Sequence, residues 1–153
     1  MLTTVALIIF VIEMRIPNIV PIPGVKLGLA NIVTVYALYN YSVGETAMIC
    51  AVRIVLGSLF GGNPMAILFG FGGSALCILG MSLVKKVITE KYIWLASVVG
   101  AVLHNTGQIA VACAVMRTFA VVGYLPFLFF SGCIAGLFTG LCAQFVVLRL
   151  KKN

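Results

Sequence analysis

Aspartate is absent from this 153-residue sequence, and charge of either sign is scarce: three Glu, ten Lys and Arg, and one His. Charged residues make up 8% of the chain, against about 25% in a soluble domain. So few charges do not cover a water-facing surface, which excludes an ordinary soluble enzyme and a disordered chain. With no Asp there is no Asp-rich, magnesium-binding motif of the kind that prenyl transfer from diphosphates needs. Paired carboxylates, a Ser–His–Asp arrangement and a phosphate-cradling glycine loop are missing too, so no catalytic residue is expected. The five cysteines, Cys50, Cys77, Cys113, Cys133 and Cys142, form no C-x-x-C pair. Neither a metal site nor a disulfide framework is expected, and they read as small helix-packing residues. No cofactor is implied.

What is abundant is apolar surface. Hydrophobic residues make up 63% of the chain and the mean hydropathy is +1.22. That is an integral membrane protein in contact with lipid. Its net charge of +7 then reads as topology, with no nucleic-acid partner.

The N-terminus has no basic region and no small-residue cleavage site, so the first apolar stretch is expected to stay as a helix. It begins close enough to Met1 that preceding residues are expected. Residues 1–153 are expected to form a single transmembrane domain, a six-helix all-α bundle. The punctuation divides the chain into apolar stretches at Leu2–Met14, Gly28–Asn40, Gly44–Leu59, Pro64–Val84, Tyr92–Phe119 and Leu125–Leu148. Between the first two lies Ile16–Leu27, a loop because Pro17, Pro21 and Pro23 do not continue a helix. It is too apolar to stand free and is expected to fold over something.

Lys85, Lys86, Lys91, Arg149, Lys151 and Lys152 mark one face as cytoplasmic, against Arg15, Lys26 and Arg117 on the other. Six spans then run N-in, C-in. Tyr92 and Trp94 fit the cytoplasmic aromatic belt, and Tyr124 the outer one.

A charge at the centre of a spanning helix costs roughly 2.5–3.5 kcal/mol, so each polar group there needs a reason. Glu13, Asn31, Arg53, His104, Asn105 and Gln108 are expected to gather toward the outer half, with Lys26 in the loop above them. His104 and Gln108 are four residues apart and share a helix face, with Asn105 beside them. Two readings stand. The cluster glues helices together, or it binds a small molecule. Arg53 either pairs with Glu13 or holds an anionic or carbonyl-bearing ligand through its fork of donors. The repeat Gly132-x-x-x-Gly136-x-x-x-Gly140 offers a small-residue face on which a helix approaches closely. It packs a neighbour within the chain or docks a partner subunit.

Several runs carry a resemblance. Pro23–Thr34 (PGVKLGLANIVT), Arg53–Gly62 (RIVLGSLFGG), Gly100–Gln108 (GAVLHNTGQ) and Tyr124-Leu125-Pro126 are similar to the signature of the Gx transporter family. That family is also labelled heptaprenyl diphosphate synthase component I, and it resembles the substrate-binding S components of energy-coupling factor transporters. The resemblance covers nearly the whole chain. It implies a six-helix protein with an outward-facing pocket, capped by the loop between helices 1 and 2. It also implies partners, a transmembrane scaffold subunit and ATPases, and a location in a bacterial-type plasma membrane. One feature departs from it. S components usually carry Ala-x-x-x-Ala in helix 1, whereas Ala6 has no alanine four residues away. The rival expectations are a non-catalytic accessory subunit of isoprenoid or quinone biosynthesis, and a structural subunit of a membrane complex.

Overall fold

The computed structural model describes residues 1–15, 31–62 and 64–150. Among them are six α-helices and no strand. In chain order they are α1 (Leu2–Arg15), α2 (Asn31–Asn40), α3 (Val43–Gly61), α4 (Met65–Val87), α5 (Ile93–Met116) and α6 (Leu125–Leu150). Short 3-10 turns at Glu90–Tyr92 and Ala120–Tyr124 precede α5 and α6. An apolar chain in hydrocarbon has to satisfy its own backbone hydrogen bonds, and a helix does so within one segment.

The helix ends follow local chemistry. Ser42 and Glu45 form a capping box at the start of α3. The Glu45 N–H donates to Ser42 Oγ at 3.2 Å, and the Ser42 N–H donates back to Glu45 Oε2 at 2.9 Å. Gly62 closes α3 in the left-handed region at φ +63°, and its N–H donates to the Leu59 carbonyl. Pro64 stands directly before α4, where its missing N–H costs nothing. Helix α5 stops at Met116, short of the expected Phe119, because Arg117 turns left-handed at φ +50°.

Four segments are long and apolar enough to cross a membrane: Val43–Gly61, Met65–Val87, Ile93–Met116 and Ala120–Leu150, with mean hydropathies of 1.5 to 2.1. The chain is a multi-pass membrane protein. The other two helices are shorter. At about 1.5 Å per residue, α1 extends about 21 Å and α2 about 15 Å, against a hydrocarbon core of about 30 Å.

The most extensive packing joins α5 to α4 and to α6. Two seams on α5 make this possible. Gly100, Leu103, His104, Gly107 and Val111 face α4, while Trp94, Ser97, Val98, Ala101 and Asn105 face α6. On the α6 side the partners are Gly132, Gly136 and Gly140. A Cβ on Gly136 would lie 2.7 Å from Val98 Cα, and one on Gly140 would lie 2.6 Å from Trp94 Cα. All three glycines are buried against α5. Of the two readings of this small-residue face, the structure shows the packing of a neighbour within the chain.

Helix α1 packs on α3, where Phe10 covers Gly57. The short α2 is enclosed, packed on α6 and α3. It buries Val33, Thr34, Val35, Ala37, Leu38 and Tyr39. Its last turn is tied down by Lys85 of α4, which donates to the Leu38 carbonyl at 2.6 Å and lies 5.3 Å from the Tyr39 ring centre. The outward faces remain apolar, with Ile8 and Ile12 on α1, Met48 on α3, Leu79 on α4, and Phe130 and Ile134 on α6 all exposed. In water such a surface drives association, whereas lipid tails solvate it.

Candidate functional site

Arg53 is 6% exposed, about 15 Å along α3 from its start and so near the middle of a span. His104 stands at a similar depth on α5, half-buried against α4. The ring fits there because Gly73 has no side chain. A Cβ on Gly73 would lie 2.8 Å from His104 Cε1 and 2.9 Å from Nδ1. Helix α4 lies between the two, packed on α3 and on α5. Cys50, one turn before Arg53, meets α2, with Thr34 Oγ1 and Cys50 Sγ 3.4 Å apart. Among the described residues, Arg53 Nη1 and His104 Nδ1 are buried with no hydrogen-bond partner. Buried polar atoms in a spanning bundle are normally satisfied. Ser82 Oγ of α4 is likewise buried without a partner; Arg53 differs in carrying a permanent charge.

The remaining expected residues divide. Glu13 is 5% exposed and engaged on α1, which packs against α3. Asn31 opens α2, half-buried and one turn from Thr34. Gln108 is half-buried one turn beyond His104. Asn105 is directed elsewhere. Successive helical residues are about 100° apart, so Asn105 faces α6 while His104 faces α4. Asn105 donates from Nδ2 to the Leu128 carbonyl at 2.7 Å. Beside it lies a crevice of about 10 Å³ lined by Val102, Asn105, Thr106, Leu125, Leu128 and Phe129. That is below the roughly 300–1,000 Å³ of small-molecule sites. Lys26 and the expected cap at Ile16–Leu27 lie outside the described residues.

Thr34, Cys50 and Cys77 were not among the expected site residues. Each is a small polar residue in an apolar run; the packing of α2 on α3 joins Thr34 to Cys50, and Cys77 of α4 lies against Gly100 of α5. In lipid the arrangement has one strong property, a permanently charged fork of donors held away from water.

The chain matches the family described as heptaprenyl diphosphate synthase component I over residues 2–146. It belongs to that family. No curated protein and no solved structure matches it. The family description speaks of one component of a synthase, and hence of a partner component. The matched region contains all six helices except the last turn of α6.

Proposed function

We propose that this member of the component I family is the substrate-binding membrane component of an uptake transporter for a micronutrient or small metabolite. The observation that carries the reading is Arg53, buried at mid-span with Nη1 unpartnered among the described residues. A charge at that depth is costly and marks a binding or transport function by default. In this reading Arg53 and His104 contact the ligand. Glu13, Asn31 and Gln108 lie around them, and Lys26 reaches in from the loop between α1 and α2, which caps an outward-facing pocket. The bundle runs N-in, C-in in a bacterial-type plasma membrane, with α1 and α2 completing six membrane helices. The chain binds and carries without chemistry of its own. Energy comes from ATPases through a transmembrane scaffold subunit, as in energy-coupling factor transporters.

A second reading is favoured by the family description. The chain would be a non-catalytic accessory subunit that presents a lipid-like substrate to a soluble synthase in heptaprenyl diphosphate formation. Affinity purification from native membranes separates the two. Recovery of ATPases with a membrane scaffold supports the transporter. Recovery of a soluble, Asp-rich synthase without ATPases overturns it in favour of the accessory subunit.

A further inference from the structure

We propose that Lys86, Lys91 and Arg149 form a docking surface for the headgroup of an anionic phospholipid, along the edge made by the end of α4, the turn at Glu90–Tyr92 and the end of α6. This does not rest on the ligand-binding reading above.

The three cations are exposed, Lys86 in the last turn of α4, Lys91 on the turn before α5 and Arg149 in the last turn of α6. Packing brings them to one level. The Glu90–Tyr92 turn packs on α6 as well as on α5. Gly140 of α6 lies against Trp94 of the antiparallel α5. Phe145, five residues beyond Gly140, is therefore level with residue 89, at the edge of the turn. The Arg149 guanidinium lies over the Phe145 ring, 5.1 Å from its centre, and so stands at the depth of Lys91. On the other flank Gly100 of α5 meets the Met81 side chain of α4, which sets Lys86 about one turn deeper than Lys91. A lysine stem makes up that difference by reaching toward the headgroups.

Lys85 is different from its neighbour. Its ammonium turns to the Leu38 carbonyl and the Tyr39 ring, so it is spent on α2. Tyr41 and Ser42 join α2 to α3, which puts Glu45 at this same end. Glu45 accepts from the Ser42 N–H and hydroxyl at 2.9 and 2.8 Å. With Glu90 counted as well, four cations stand against two carboxylates, all at described positions. The end keeps a positive excess.

The surroundings favour a lipid over a free anion. Leu83 and Val87 on α4 and Phe145, Leu148 and Leu150 on α6 are exposed apolar side chains beside the cations. Acyl chains cover such side chains and hold their own headgroup at this level, whereas a free phosphate has no such anchor. Tyr92, exposed next to Lys91, suits headgroup depth. Basic side chains at a membrane surface draw anionic lipids, and a guanidinium takes two phosphate oxygens at once.

The test is native mass spectrometry of the full chain, released from detergent and titrated with phosphatidylglycerol or phosphatidylcholine of the same acyl chains. The expected result is a preference for phosphatidylglycerol that falls as salt is raised. Each of Lys86→Gln, Lys91→Gln and Arg149→Gln is expected to reduce it about fivefold, and the triple variant to remove it. Arg117→Gln, at the opposite end of α5, is expected to keep it. Equal retention of the two lipids by the wild type, or a preference that survives in the triple variant, overturns the proposal. So does an equal loss in Arg117→Gln, because charge anywhere on the chain would then suffice. If the triple variant does not fold, the single variants decide, and a preference undiminished in all three overturns the proposal.

Discussion

Asn105 and Leu128 are joined across the α5–α6 seam by a 2.7 Å hydrogen bond, made where Gly132 leaves room for the amide. A Cβ on Gly132 would lie 2.8 Å from Asn105 Nδ2. The bond ties two spanning helices together and points away from Arg53. Asn105→Ala is therefore expected to lower stability by about 0.6–1.7 kcal/mol, the range of interhelical hydrogen bonds in membrane proteins. It is expected to leave retention of a co-purifying ligand unchanged. Thermal unfolding beside ligand extraction reads both effects.

The glycine face gives a graded prediction. At Gly132 an added methyl meets a side-chain amide that is able to shift, whereas at Gly136 it meets the backbone at Val98. Gly136→Ala is expected to cost about 1–3 kcal/mol by overpacking, and Gly132→Ala less. Unfolding of the isolated chain measures the order. A docking face for another subunit would show the opposite pattern, with stability unchanged and partner recovery reduced.

Ser97 and Thr139, both buried, lie 3.1 Å apart between α5 and α6. Thr139 also donates to the Ala135 carbonyl at 2.9 Å, so Ser97 is the donor of the pair. A double-mutant cycle with Ser97→Ala and Thr139→Ala is expected to give a coupling of about 0.6 kcal/mol. A coupling near zero removes the pair as a tie.

Lys85 reaches from α4 to the last turn of α2. Lys85→Met keeps the stem and removes the donor. Hydrogen exchange of the α2 amides is expected to speed up, while exchange in α5 stays unchanged. Equal acceleration in both helices would mean a global loss of stability instead of a local tie.

Much of the fold was legible in the sequence. Gly61-Gly62-Asn63-Pro64 marked the break between α3 and α4, and Lys85-Lys86 marked the end of α4, because turn chemistry and charge act locally. The Ser42–Glu45 capping box is equally visible as Ser-x-x-Glu. The span count was less legible. Apolar content alone does not separate a spanning helix from α2, which is 10 residues long with six of them buried inside the bundle. The site was half legible. Arg53 and His104 stood out as costly polar residues in apolar runs. The separation of His104 from Asn105, and the meeting of Thr34 with Cys50, depend on which helices are neighbours.

The central claim is that the buried Arg53 and the half-buried His104 hold a small molecule. Its most direct test is mass spectrometry of small molecules extracted from the protein after purification from native membranes, comparing the wild type with Arg53→Gln and His104→Ala. The account predicts a molecule retained by the wild type, lost from Arg53→Gln and depleted in His104→Ala. An equal yield from all three proteins, or no molecule from the wild type, would contradict it.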